Sequence, residues 1–215
     1  MLHALSIGLL SLLPLANHAP ALQDSRPVVP AAPASAPAPR VRVPVHANAS
    51  CPIMGKPISE RLFAETVRGR IYICCKSCVK DILADVDTAY AAAFPRDEVH
   101  LNKSCPVTGA EIGKDAVRIK LQGHEFAVRD AAAAELARKE SQRTLARLLE
   151  PALDDVGNAT CPVSGTAVAP NAIVVIDGHL IRLSSPKLVE QIEKDPQPVL
   201  KKALELRGKP APAAK

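Results

Sequence analysis

A chain of 215 residues has room for one or two ordinary domains, and its net charge of +5 is modest and spread along the sequence. Tryptophan is absent and aromatic residues make up 2%, which leaves almost nothing for bases to stack on. Nucleic acid is therefore excluded as an expected partner.

In chain order, the first feature is an apolar run from Leu2 to Ala16, broken by His3, Ser6, Ser11 and Pro14. It is too short to span a bilayer. Ala19-Pro20-Ala21 behind it offers an A-x-A-like cleavage site, so residues 1–21 read as a secretory signal peptide. The expectation is a chain exported to a periplasmic or extracellular space, with no membrane span once mature. Residues 22–44 are rich in Pro and Ala and read as a semi-rigid spacer, and 208–215 read as a disordered tail. Of the basic residues, Arg138, Lys139, Arg143 and Arg147 are the densest group, and helical spacing among apolar residues makes them a solvated face.

Between these ends lies an internal repeat. Asn48-Ala-Ser-Cys-Pro-Ile-Met-Gly55 recurs as Asn102-Lys-Ser-Cys-Pro-Val-Thr-Gly109 and as Asn158-Ala-Thr-Cys-Pro-Val-Ser-Gly165. Each Cys-Pro-x-x-Gly is turn chemistry, because proline fixes φ and glycine can take positive φ. Two short strands follow in each copy: Leu62–Val67 with Arg70–Cys74, Ala116–Leu121 with Glu125–Val128, and Ala172–Ile176 with Leu180–Leu183. Gly69, Gly123 and Asp177-Gly178 mark the hairpin turns. Helical spacing then covers Lys76–Leu83, Ala131–Lys139 and Pro186–Lys194, each followed by a second helical piece, clearest at Pro196–Leu206. The expected fold class is α+β: three tandem small units, 45–97, 98–153 and 154–207, each a knuckle, a β-hairpin and one or two helices. Units of this size have marginal cores and usually need a metal, a disulfide or a neighbour.

Four of the six cysteines fall in the first unit, as Cys51-x2-Met54-x19-Cys74-x3-Cys78, with Cys75 an additional thiol. A turn supplying one donor and a strand-to-helix junction supplying others bring distant segments to one point, as metal sites require. Residues at i and i+4 share a helix face, and the positive end of a helix favours the metal-binding thiolate. The Cys74, Cys75 and Cys78 positions align with Val128, Arg129 and Ala132, then with Leu183, Ser184 and Lys187. The later units therefore read as structural copies. Their Cys105 and Cys161 are left to pair with each other, to lie buried and inert, or to join a shared site.

Tyr72-Ile-Cys-Cys-Lys-Ser-Cys78 and the repeated Cys-Pro-Val/Ile-x-Gly resemble the strand-to-helix junction and the knuckle of the YHS/TRASH family of treble-clef-like metal-binding domains. Lys194-Asp195-Pro196 is similar to the Asp-Pro that often follows that family's first helix. The resemblance covers Cys51 to about Pro95 well and the later units in outline. It implies a transition metal, zinc or copper(I), held by Cys51, Cys74 and Cys78. Met54 stands where the family's fuller pattern has a second cysteine. As a thioether donor it would favour Cu(I); as a packing residue it would fill a core gap.

The histidines read as lone surface side chains, with His46 placed to approach the Cys51 site as a nitrogen ligand. Asn48, Asn102 and Asn158 fit glycan sequons, but their fixed place before each cysteine favours a turn in which the side chain bonds backbone. Three functions stay open: a non-catalytic metal-binding protein in trafficking, sequestration or sensing; a thiol-disulfide redox protein using Cys75-x-x-Cys78; and a structural or interaction repeat stapled by metal or disulfide. No Ser/His/Asp set, carboxylate pair or phosphate loop points to any other enzyme.

Overall fold

The computed structural model describes residues 39–209. The expected signal peptide and nearly all of the tail lie outside that range. Strand β1 (Val41–Arg42) begins inside the stretch read as a spacer, so ordered structure starts before the expected boundary at residue 45.

The first hairpin joins β2 (Ser59–Thr66) to β3 (Gly69–Ile73), followed by α1 (Cys78–Ala84) and α2 (Val86–Ala93). Asp85 separates the helices, its carboxylate accepting the Thr88 N–H as an N-cap at 3.0 Å. Every residue of β3 is buried, and Ile71, Ile73 and Ile82 close over Cys51 and Cys78 in one cluster. Full burial of each such side chain stabilises by roughly 1.5–3 kcal/mol.

Next come β4 (Glu98–Val99), the hairpin β5 (Val117–Leu121) and β6 (His124–Val128), then α3 (Ala131–Lys139) and α4 (Ser141–Leu149). The last stretch holds β7 (Asp154–Asp155), the hairpin β8 (Ile173–Ile176) and β9 (His179–Arg182), a 3-10 turn at Pro186–Leu188, α5 (Val189–Lys194) and α6 (Pro196–Glu205). The second and third hairpins turn through Gln122-Gly123 and Asp177-Gly178. Both residues of each pair have positive φ, as a type I′ turn requires. The fold is α+β, with a two-stranded sheet β2-β3, a three-stranded sheet β4-β6-β5 and a four-stranded sheet β1-β8-β9-β7.

Strands β4 and β7 are additions to the hairpins that the sequence pattern did not announce. Each is two residues long and pairs in parallel with the second strand of the hairpin after it, Glu98 opposite His124 and Asp154 opposite His179. Segments this short carry no alternation of apolar and polar residues to detect.

Gln122 is 1% exposed and connects the hairpins. Its backbone N–H donates to Arg68 O at 2.9 Å, its Oε1 accepts from Arg70 N at 3.0 Å and from Gln142 Nε2 at 2.9 Å, and its Nε2 donates to His46 O. Helix α4 carries a second join. Arg143 bridges Glu140 and Asp155 at 2.7 Å each, and Glu140 also meets Arg182 at 2.5 Å. Arg147 reaches Asp155 at 3.3 Å and donates to Val107 O at 2.7 Å. The solvated-face reading thus holds for Lys139 and in part for Arg138, and fails for Arg143 and Arg147, which are largely covered by the segments that α4 packs between.

Candidate metal centre

Each Cys-Pro-x-x-Gly folds into the same loop. Cys51 N–H donates to Lys56 O at 2.9 Å and Gly55 N–H to Cys51 O at 2.8 Å, while Gly55 sits at φ +63°. Cys105 with Gly109 and Ala110, and Cys161 with Gly165 and Thr166, repeat both bonds at 2.7–2.9 Å. The asparagine three residues earlier docks each loop on the hairpin's second strand. Asn48 Oδ1 accepts from Tyr72 N at 2.7 Å and its Nδ2 donates to Tyr72 O at 3.0 Å. Asn102 does the same to Ala127, and Asn158 to Arg182. This is the backbone-bonding role expected of the three asparagines.

Docking the first loop on β3 sets Cys51 beside the residues that leave the strand. Cys74 and Cys75 follow β3 directly, and Cys78 opens α1. The sulfur separations are 3.7 Å for Cys51–Cys78, 4.0 Å for Cys74–Cys78, 3.8 Å for Cys74–Cys75 and 3.6 Å for Cys75–Cys78. Thiolates about 2.3 Å from one tetrahedral ion stand about 3.8 Å apart. The same distances are far beyond a disulfide bond, and all six cysteines are free. Cys51, Cys74 and Cys78 lie mutually within 4.8 Å, a group that could hold a metal ion. Cys75 touches the group through Cys74 and Cys78.

Cys51 and Cys78 are 1% and 2% exposed, whereas Cys74 and Cys75 face partly outward. Burial pushes the Cys51 thiol up, but the backbone N–H groups of Cys74, Met54 and Ile53 outweigh it and bring the thiol down to about 7. Hydrogen bonds from Ser77, Cys78 and Cys74 lower Cys75 to about 7. Burial raises Cys78 to about 12 and also raises Cys74. Four thiols in one small volume cannot all ionise without a cation, and the protons are shared out accordingly.

Met54 contributes to this site through its backbone. The residue is 52% exposed on the loop and fills no core gap. His46 does not reach the cysteines: its ring stands edge-on to His124, with 6.4 Å between centroids. Burial lowers His46 to about 4 and, with His100 nearby, lowers His124 as well.

The later loops keep the cysteine and replace its neighbours. Cys105 and Cys161 lie at 1% and 0% exposure in separate clusters, so they do not pair with each other. Burial pushes both thiols up, yet hydrogen bonds from Thr108 and the Arg129 backbone to Cys105, and from Ser164 and Ser184 to Cys161, lower them overall. Ser164 and Ser184 hydroxyls meet at 2.9 Å, on the positions that correspond to Met54 and Cys75. Hydroxyl donors there favour the ionised form of a lone thiol, as a cation would in the first loop.

Comparison with protein-family models, with curated proteins and with solved structures finds no match. Among the described residues, no helix is long and apolar enough to cross a membrane.

Proposed function

We propose that this chain is an exported, non-catalytic metal-binding protein that takes Cu(I) or Zn(II) through Cys51, Cys74 and Cys78, with Cys75 at the rim. The carrying observation is the convergence of these sulfurs at separations an ion would span. An all-sulfur donor set of this kind selects soft and borderline ions. On this reading the three loop-hairpin-helix segments are tandem copies of a treble-clef-like YHS/TRASH unit. The repeated loop bonds and asparagine clasps support that view. Two copies have exchanged the ion for hydroxyls and apolar contacts. The sequence before residue 22 supports export, and the family reading rests on the motif residues alone.

Elemental analysis of the reduced chain, beside a Cys74→Ser/Cys78→Ser variant, tests it. About one equivalent of copper or zinc, lost in the variant, is the expected result, since affinity depends on deprotonated sulfur ligands. A reduced protein that takes up no transition metal would overturn the reading.

One observation favours a second reading. Cys75 is held low and its neighbour Cys78 high at 3.6 Å, the asymmetry of an attacking and a resolving thiol. A metal-free protein isolated with Cys75 and Cys78 joined would put thiol-disulfide exchange first.

A further inference from the structure

The parallel pairing of β4 with β6 does more than widen a sheet. It sets Glu98 opposite His124, and His100, the first residue past the strand, continues the pairing by donating its backbone N–H to Glu125 O at 2.8 Å. His100 Nε2 lies 3.1 Å from His124 Nδ1 and 3.9 Å from Glu98 Oε1, while His124 Nδ1 lies 3.6 Å from Glu98 Oε2. Nitrogen and oxygen donors about 2.1 Å from one tetrahedral ion stand about 3.4 Å apart. The three donors already have that spacing and lie mutually within 4.8 Å.

Two further observations set this group apart from an ordinary surface pair. The first is His46, which reaches the cluster from the chain ahead of the first cysteine loop. Its Nε2 is buried and has no hydrogen-bond partner among the described residues, and its ring stands edge-on to His124. An orphaned buried nitrogen is costly unless something engages it. The second is the corresponding place in the last segment. There Asp154 lies opposite His179 on β7 and β9, and Arg207 donates to both carboxylate oxygens at 2.8 and 2.6 Å. Val156 stands where His100 would be. A guanidinium fills the cation's place in that copy, whereas Glu98 meets histidines and its side chain remains 68% exposed.

We infer that Glu98, His100 and His124 form a second metal site, for a borderline divalent ion of the zinc class, distinct from the cysteine cluster. Two imidazoles and a carboxylate suit Zn(II), whereas the sulfur cluster suits softer ions. Binding replaces the proton shared between His100 and His124. The exposed Glu98 side gives the ion its entry path and leaves a position for water, and His46 closes the inner side.

Cobalt(II) separates this site from the sulfur site. Thiolate ligation gives intense sulfur-to-metal charge transfer, and nitrogen and oxygen ligation does not. Titration of the full chain, reduced, should show one equivalent of Co(II) without sulfur charge transfer, displaced by Zn(II), whether or not the cysteines load. That equivalent should vanish in His100→Ala/His124→Ala. It should bind at least about tenfold more weakly in Glu98→Gln, where one exposed ligand is removed and folding is not at stake. An equivalent that persists unchanged in both variants, or a wild-type chain whose only bound cobalt shows sulfur charge transfer, would overturn the site. Loss of the sulfur signal alone would count against the cysteine centre and leave this one standing.

Discussion

Asn48 grips Tyr72 by both backbone groups, accepting from its N–H at 2.7 Å and donating to its carbonyl at 3.0 Å, and so fixes the loop of Cys51 against the strand that leads into Cys74. Asn48 is 4% exposed, so its removal strands two backbone groups of β3 away from water. Asn48→Ala should destabilise the protein by about 2–4 kcal/mol, the cost of two lost bonds and their unmet partners. It should also weaken metal uptake, because Cys51 loses its register with Cys74. Asn158→Ala should cost as much in urea unfolding but leave metal affinity unchanged. Equal losses of metal affinity in the two variants would count against the cysteine site as placed.

Cys75 distinguishes the two uses of the sulfur cluster. It contacts Cys74 and Cys78 from the outer side and stands outside the mutually close trio. Cys75→Ser should therefore keep the ion with affinity reduced by about tenfold or less, whereas Cys51→Ser should lose it by well over that. Competition against a chelator of known strength measures both. If Cys75→Ser instead abolishes a dithiol-dependent reductase activity and leaves metal content untouched, the exchange reading gains.

Local chemistry made much of this legible in the sequence. Positive-φ glycines in Cys-Pro-x-x-Gly and at Gly123 and Asp177-Gly178 located the loops and turns, and Ala131–Lys139 is helical over the expected residues. Cys51, Cys74 and Cys78 converge because the turn and the junction they occupy are each locally determined. What the sequence left hidden depends on how segments meet. The two-residue parallel strands β4 and β7, the burial of Arg143 in ion pairs and the meeting of His46, His100 and His124 follow from packing between segments. A signal was present in the placement of His46 and His100, each five residues before a cysteine, but spacing alone does not bring them to the same hairpin.

Gln122 is the sharpest case of such hidden placement. It occupies a hairpin turn at φ +50°, where a polar residue is usually an exposed one, yet it is buried and its amide joins β3, α4 and the chain at His46. Gln122→Ala should cost about 2–4 kcal/mol, since Arg70 N and Gln142 Nε2 lose a buried acceptor. Because the Arg70 bond crosses between the first and second hairpins, the variant should also unfold less cooperatively. Fluorescent labels on the two hairpins should report one urea transition in the wild type and two in the variant. A single unshifted transition would remove Gln122 as a connector.

Asp154 gives a pH test away from either proposed metal site. Arg207 forks onto its carboxylate, and with His179 at 2.8 Å it holds the carboxyl down to about 2 despite an upward push from burial. The folded value is below the unfolded one near 3.9. Its contribution is therefore fully present above about pH 4 and lost as pH falls through about 2. The Asp154 side chain is 43% exposed, so solvent screens the pair and the contribution is small. Stability curves of wild type and Asp154→Asn should differ modestly at pH 6 and converge between pH 4 and 2, and the difference at pH 6 should shrink in about 1 M salt. Curves that stay parallel down to pH 2 would mean that the Arg207 fork does not anchor the end of α6 to β7.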